Sequence, residues 1–194
     1  MAAVARTREA GAQAEEAELR DLIRARSFRL GKFKLSSGAE SDLYFNLKPT
    51  MMHPRGAHLC ARAFLARVLP EKVDYVGGPA MGAVPVISAL AAVSDAAGTP
   101  VRTFFVRGEA KQHGTRDVVE GLGPGESLYG ARVLIADDVA TSGGSILKAV
   151  RASREAGATV EVALVLIDRE EGAEQMLAEK GVRLLSVFKG AEFR

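Results

Sequence analysis

Two adjacent acids followed by a loop of small residues carry the clearest chemistry in the sequence. An apolar run leads into Asp137 and Asp138, and the residues from Ala140 to Ser145 are small, hydroxyl-bearing or glycine. Backbone N–H groups in such a loop converge on one point, and the helix predicted to follow adds positive potential there. The loop glycines let the backbone approach an anion without interference from a Cβ atom. The segment therefore predicts a phosphate site.

The two carboxylates need a partner other than the phosphate, because neighbouring anions repel. Sugar hydroxyls or a Mg²⁺ ion would suit Asp137 and Asp138. A ligand that carries a phosphate, a diol and a metal-bound group fits the whole segment. The terminal Gly-Lys-Ser/Thr of a Walker A loop is missing, and so is the G-x-G-x-x-G spacing of dinucleotide sites. An alternative stays open, in which a strand merely ends in acids and a serine caps the next helix.

A polar segment over residues 107–121 is the second candidate. Its Arg107, Lys111, His113 and Arg116 suit a polyanion, and its glycines allow hinge motion. Long irregular loops are uncommon in compact domains unless they are functional. A merely solvated surface loop is the alternative.

Two shorter segments lie at the ends of predicted strands. The turn over 77–82 is rich in glycine and would bind a diphosphate through its backbone, or it is only a tight turn. Arg169 follows Asp168 and would bind a carboxylate through its fork of N–H groups. Alternatively, Arg169 pairs locally with Asp168 or Glu171.

Composition limits the remaining choices. The chain has 194 residues, of which 47% are hydrophobic and 26% charged, so it is long enough for one soluble domain with a proper core. The net charge of +2 gives no general nucleic-acid signature. A single cysteine, Cys60, excludes an internal disulfide framework. With no membrane-length apolar run and no secretory signal, we expect a cytoplasmic protein with neither nucleic acid nor membrane as partner.

Hydrophobic periodicity predicts alternating strands and helices. Residues 1–11 are expected to be disordered, and residues 12–194 to form one domain. Helices are predicted over 12–26, 54–69, 83–97, 145–156 and 171–180, and strands over 28–35, 41–47, 73–77, 101–106, 132–136, 160–167 and 182–187. This order indicates an α/β fold, a mostly parallel twisted sheet flanked by helices. Ligands of such sheets bind at the carboxyl ends of the strands, where all four candidate segments fall.

The segment from Val133 to Ser145 resembles the 5-phosphoribosyl-1-pyrophosphate (PRPP) motif of type I phosphoribosyltransferases. The resemblance implies the type I phosphoribosyltransferase fold, with a small N-terminal hood built mainly from residues 12–50. It also implies that Asp137 and Asp138 hold the ribose hydroxyls. The 5-phosphate would be bound by the loop that follows, which consists of Val139, Ala140, Thr141, Ser142, Gly143, Gly144 and Ser145.

Further segments make the chain similar to the orotate phosphoribosyltransferase family from about residue 30 to residue 193. Residues 33–38 and 41–46 resemble the family's N-terminal substrate-binding stretch, and 107–114 its mobile catalytic loop. The segment 168–172 resembles the one whose arginine contacts orotate. The implied orotate contacts are Ser36, Ser37, Gly38, Tyr44, Phe45, Thr141 and Arg169.

The same resemblance implies a reaction and its participants. Orotate and PRPP would give orotidine 5′-monophosphate and pyrophosphate, a step of UMP synthesis. Lys111 and His113, with Asp137 and Asp138, would be the catalytic residues, and Arg107 would bind pyrophosphate. Mg²⁺ would be the cofactor, held mainly by PRPP with help from the two acids. Family members are homodimers in which the loop, here residues 107–121, reaches the neighbouring site.

Three positions depart from the family pattern. Gly108, Met81 and Ser36 stand where a lysine is usual or occurs in some members. Each departure removes a cation from a site that must bind pyrophosphate. Two rival functions therefore stay open: a phosphoribosyltransferase for another base, and a PRPP-binding regulator without catalytic activity.

Overall fold

The computed structural model describes residues 2–34, 40–108 and 118–194. The strands are β1 (Phe28–Lys34), β2 (Glu40–Phe45), β3 (Tyr75–Pro79), β4 (Arg102–Val106), β5 (Val119–Glu120), β6 (Arg132–Ala140), β7 (Thr159–Asp168) and β8 (Arg183–Lys189). The helices are α1 (Ala2–Ser27), α2 (Lys48–Met51), α3 (Pro54–Val68), α4 (Val84–Ala96), α5 (Gly144–Glu155) and α6 (Ala173–Ala178). Short 3₁₀ turns follow at Leu69–Glu71 and Gly190–Phe193.

The main sheet has six strands in the order β5-β4-β3-β6-β7-β8. All its pairings are parallel except that of β5 with β4. The chain moves outward from β3 to β4 through α4, and outward from β6 to β7 through α5. The direction of winding therefore reverses between β3 and β6, which is where open α/β sheets bind their ligands. The predicted α/β fold with a mostly parallel sheet is confirmed.

Both faces of the sheet are covered by helices, which explains the near-continuous apolar runs of its central strands. Leu134, Leu164 and Leu166 point to one face, where α1, α3 and α4 pack. Ile135 and Val165 point to the other face, beneath α5 and α6. Within the described ranges, every helix is too short or too polar to cross a bilayer.

The N-terminal part forms a small layer beside the sheet, which we call the hood. Its β1 and β2 pair antiparallel, with Phe28 opposite Phe45. The rings of Phe28 and Phe45 pack on Phe193, with centroids 5.7 and 5.3 Å from it, so the hood is joined to the C-terminal end of the chain. Ion pairs between α1 and α3, such as the partly buried pair of Arg67 with Glu16 at 2.8 Å, add a second connection.

Several boundaries differ from the prediction. Helix α1 already begins at Ala2, through the segment expected to be disordered, because its alanines, arginines and glutamates are strong helix formers. Strand β6 continues to Ala140, past both acids, because its ladder with β7 pairs Asp137 with Val165 and Ala140 with Asp168. Two short elements, α2 and β5, had no periodicity long enough to predict them.

Candidate active site

Two segments face each other at the reversal point between β3 and β6. The β3–α4 turn, residues 80–83, lies against the acids of β6. A Cβ atom built on Gly82 would lie 2.6 Å from Oδ1 of Asp137 and 3.0 Å from Oδ1 of Asp138. Only glycine fits this approach, so the turn and the carboxylates form one site.

Asp137 is the buried member of the acid pair, with 3% of its surface exposed. Its Oδ2 accepts a hydrogen bond of 2.9 Å from the Ser145 hydroxyl, and its Oδ1 accepts one of 2.9 Å from the Asp138 N–H. Burial and, second, the nearby charge of Asp138 together raise the pKa of Asp137 to about 7, against the lowering effect of the two hydrogen bonds. At neutral pH this carboxyl group is thus ready to exchange a proton or to accept a cation or a hydroxyl donor.

Asp138 is only partly buried and lies next to the turn that carries Gly82. Its Oδ1 accepts the Val139 N–H at 2.8 Å. The prediction that the strand ends before the acids was wrong, since both acids lie inside β6. Their side chains still reach the carboxyl edge of the sheet, since an Oδ1 atom of each lies against Gly82 in the β3–α4 turn.

The loop after β6 has the form that the sequence predicts. Gly143 has a left-handed φ of 79° and directly precedes the first helical residue, Gly144. A Cβ atom at Gly143 would also come within 2.7 Å of Met176. Ser142, Gly144 and Ser145 are exposed, so their backbone N–H groups at the start of α5 are accessible to an anion.

The glycines of the 77–82 segment have two different structural roles. Gly77 and Gly78 lie inside β3. A Cβ atom on Gly77 would lie 2.1 Å from the Phe104 ring, and one on Gly78 would lie 2.2 Å from the Ala136 carbonyl oxygen. These two glycines therefore serve packing between strands. Only the turn itself, with a cis peptide bond between Ala80 and Met81, faces the acids.

Arg107 stands at the base of the predicted catalytic loop. Its N–H donates to the Val118 carbonyl at 2.8 Å, and its guanidinium pairs with Glu120 at 2.8 Å. The loop therefore leaves and re-enters the sheet at adjacent points. Five predicted site residues lie outside the described ranges: Ser36, Ser37, Gly38, Lys111 and His113.

Arg169 connects the end of β7 with the hood. Its N–H donates to the Ala140 carbonyl at 2.9 Å, and its guanidinium donates to the Leu43 carbonyl at 3.2 Å and to Glu171 at 2.7 Å. The local pairing considered from sequence thus occurs with Glu171. Asp168 pairs instead with Lys189, at 2.7 Å. Arg169 lies beside the acid site, since it bonds the last residue of β6.

The two predicted aromatic contacts differ in position. Tyr44 is 40% exposed on β2, whereas the ring of Phe45 is buried in the aromatic cluster of the hood. The Phe45 ring therefore stabilises the hood, and only the Tyr44 ring is accessible to a ligand. Thr141 is half-buried between the acids and the exposed loop residues.

Asp137 and Asp138 are the residues that could hold a hard cation. Among the residues that the structure describes, no cluster of three or more Asp, Glu, His or Cys side chains forms a closed metal site. Two carboxylates that share one site suit Mg²⁺, which keeps most of its ligands from water and substrate phosphates.

Sequence reasoning missed two participants: Gly82 as the contact of the acids, and Ser145 as hydrogen-bond donor to Asp137. The Gly-x-x-x-x-Gly spacing of 77–82 was the only local signal for Gly82. The contact of Ser145 with Asp137 depends on how α5 is placed against β6.

Comparison with known proteins agrees with the site. Residues 52–186 match the phosphoribosyl transferase domain family. Orotate phosphoribosyltransferase of Rhodopseudomonas palustris (strain TIE-1) is 50% identical over 180 residues, which cover 93% of this chain and 96% of the relative.

Solved structures give the same result. Orotate phosphoribosyltransferase of Mycobacterium tuberculosis H37Rv in complex with inorganic phosphate is 32% identical, with a TM-score of 0.78, and the match covers 93% of this chain and 98% of that one. The complex of that enzyme with PRPP has a TM-score of 0.75 at 31% identity, with coverages of 92% and 98%.

Proposed function

The chain belongs to the orotate phosphoribosyltransferase family, and we propose that it transfers the 5-phosphoribosyl group of PRPP to orotate, releasing pyrophosphate and giving orotidine 5′-monophosphate for UMP synthesis. One observation carries the proposal most directly. The acid pair of β6 and the glycine loop at the start of α5 lie at the reversal point of the sheet, and Arg169 is bonded to the end of the same strand, β6. A phosphate, a diol and a carboxylate thus each find a complementary group within one site.

PRPP would lie along the β6–α5 loop. The backbone N–H groups of the exposed residues Ser142, Gly144 and Ser145 would bind the 5-phosphate at the positive end of α5. Asp137 and Asp138 would accept hydrogen bonds from the ribose hydroxyls. Those bonds replace the water that burial removes from Asp137 and favour its charged form.

Orotate would bind between Arg169 and the hood. Its carboxylate is a planar acceptor that fits a guanidinium fork. Arg169 is held by the Leu43 carbonyl and Glu171, so substrate would compete with Glu171 for the same donors. Tyr44, Thr141 and the backbone of residues 36–38 would complete the pocket.

Catalysis in this proposal is mainly positioning and charge neutralisation. The C1′–O bond of PRPP loosens toward an oxocarbenium-like state, as in other glycosyl transfers, while the ring nitrogen of orotate is held beneath C1′. Arg107, Lys111 and His113 would stabilise the departing pyrophosphate when the 107–121 loop closes. Orotate is already anionic at neutral pH, so no strong general base is required.

Mg²⁺ fits the donor set at the acid pair, because Asp137 and Asp138 are hard oxygen ligands and burial penalises the uncompensated charge of Asp137. Bound Mg²⁺ would neutralise charge on the diphosphate of PRPP. Since the acids alone provide few ligands, most of the coordination would come from PRPP and water.

We further propose a homodimer in the cytoplasm, with α4 at its interface. Helix α4 is apolar on nearly every side, and Met81, 66% exposed, stands just before it. A helix of this kind is normally buried on all sides. A partner placed there would lie near the β3–α4 turn and could receive the neighbouring 107–121 loop.

The deciding experiment follows the loss of orotate absorbance when the purified chain is mixed with orotate, PRPP and Mg²⁺, with EDTA as the control. Metal-dependent consumption supports the reaction. Parallel reactions with uracil, adenine and hypoxanthine test for another base. If PRPP raises the melting temperature but no base is consumed, the regulator is the better assignment, and DNA or RNA binding at moderate salt would support it.

A further inference from the structure

A cavity beside the candidate active site has a basic wall that the proposed reaction leaves unassigned. It has a volume of about 460 Å³ and lies between α5 and the ends of β3 and β4. Ala80 and Ser145 line it on the side of the active site, and Lys148 and Arg151 line it along α5. The cavity therefore borders the candidate active site at Ala80 and Ser145 and extends beyond it along α5.

Lys148 and Arg151 have no ion-pair or hydrogen-bond partner within the described part of the chain. Arg154, on the same helix, donates instead to the Lys180 carbonyl at 3.1 Å and to the Val160 carbonyl. Arg107, which also lines the cavity, pairs with Glu120 at 2.8 Å. Lys148 and Arg151 are thus the cations of this wall that can take an external anion without breaking a bond among the described residues.

Their spacing suits a ligand with two linked phosphoryl groups. Residues 148 and 151 lie one helical turn apart, which separates them by about 4.5 Å along the axis. The floor of the cavity is apolar, formed by Ala149, Ala152 and Val106, and it offers no groups that compete for the two cations. Glu155, at the far end of the cavity, would repel an anion toward Ser145.

We propose that Lys148 and Arg151 form an outer subsite for inorganic pyrophosphate, next to the catalytic site and on the path by which the product leaves. The identity of this ligand rests on the proposed function, since pyrophosphate is its leaving group. The subsite lies beyond the catalytic diphosphate position, so it binds free pyrophosphate and makes no contact with bound PRPP.

The test compares the double variant Lys148→Gln/Arg151→Gln with Lys72→Gln/Lys180→Gln, which removes the same charge at exposed positions outside the cavity. Calorimetry with inorganic pyrophosphate in EDTA measures binding without any turnover. The first variant is expected to lose a site or to bind about tenfold more weakly, because each lost contact involves a charged group. The control pair is expected to bind like the wild type.

Steady-state kinetics provide the second readout. The pyrophosphate inhibition that does not compete with PRPP is expected to weaken about tenfold in the first variant, with the KM for PRPP unchanged. An equal rise in the KM for PRPP would place both residues in the catalytic diphosphate site and overturn an outer subsite. Unchanged pyrophosphate binding in all three proteins would also overturn it. The wild type could also bind pyrophosphate in a way that depends on Lys148 and Arg151 and yet consume no orotate. That result would reject the proposed function and keep the subsite.

Discussion

The Ser145 hydroxyl donates a hydrogen bond of 2.9 Å to Oδ2 of Asp137, and this bond joins the first turn of α5 to the acid end of β6. It holds a buried carboxylate toward the loop that is proposed to bind the 5-phosphate. The two functions assigned to this segment, diol binding and phosphate binding, therefore share one structural connection.

Replacing Ser145 with alanine is expected to raise the KM for PRPP about tenfold, since a hydrogen bond to a charged group is lost. The pKa of Asp137 should also rise in this variant, because the hydrogen bond from Ser145 lowers it in the wild type. Ser153→Ala is the matched control: its hydroxyl donates to the Ala149 carbonyl within the same helix, away from the site. Equal effects of both variants on the KM would mean that α5 stability, and not the Asp137 contact, matters.

The raised pKa of Asp137, about 7, predicts two opposite pH effects. Diol hydroxyls and Mg²⁺ favour the charged carboxylate, so PRPP affinity should increase as the pH rises through 7. The free protein should lose stability as the pH rises toward 7 and level off above it, because the folded state binds the proton more tightly than the unfolded state does. This loss begins above the ordinary pKa of an aspartate and amounts to a few kcal/mol at most.

Thermal unfolding and PRPP titration between pH 5 and pH 8.5 would measure both effects. Asp137→Asn should remove the stability change, because an amide does not titrate. Asp138→Asn should move the midpoint of the PRPP titration to lower pH, because the neighbouring charge contributes to the raised pKa. A wild-type affinity that is flat across this range would contradict the assignment of Asp137.

Much of this arrangement could be predicted from local sequence. Apolar runs of strand length, each followed by a segment with helical periodicity, specify the parallel sheet. They also place the candidate site segments at the carboxyl ends of its strands. The acid pair and the glycine loop are adjacent in the chain, so their association needs no tertiary information.

The remaining features depend on contacts between distant segments. The length of β6 is set by its pairing with β7, which continues through Asp137 although an acid is a poor strand former. The ion pair of Asp168 with Lys189 and the bond of Arg169 to Leu43 join segments far apart in the chain. Periodicity within one segment carries no signal for such pairs.

Gly82→Ala is expected to lower activity strongly, by more than about 100-fold, because its Cβ would lie 2.6 Å from a carboxylate oxygen of Asp137. Either the acids or the β3–α4 turn must then shift. Gly11→Ala is the matched substitution: a Cβ at this helical position meets nothing within 4 Å. It should leave the activity unchanged and raise stability by up to about 1 kcal/mol. Wild-type turnover in Gly82→Ala would show that the turn is not part of the site.

Arg169→Lys should reduce kcat/KM for orotate by about 10- to 100-fold, because a lysine cannot make the fork contact with a carboxylate. The KM for PRPP should change little, since the Arg169 guanidinium bonds the hood, and the backbone N–H that bonds Ala140 is kept in the lysine variant. Arg183→Lys provides the control, as this exposed arginine pairs with Glu71 away from the site. Parallel losses for orotate and PRPP would instead indicate a general collapse of the hood.

Gly108→Lys is expected to raise kcat up to about tenfold by adding a cation beside the departing pyrophosphate. The position tolerates a side chain, since a Cβ at Gly108 meets nothing within 4 Å among the described residues. Gly108→Gln separates the effect of charge from that of backbone restriction: it has a polar side chain without charge and should not raise kcat. The gain from lysine should also shrink at high salt, because exposed charges are screened. If glutamine raises kcat as much as lysine, the stiffness of the loop is the limiting property. If neither substitution raises kcat, the existing cations, Arg107 among them, already supply the charge that the leaving group needs.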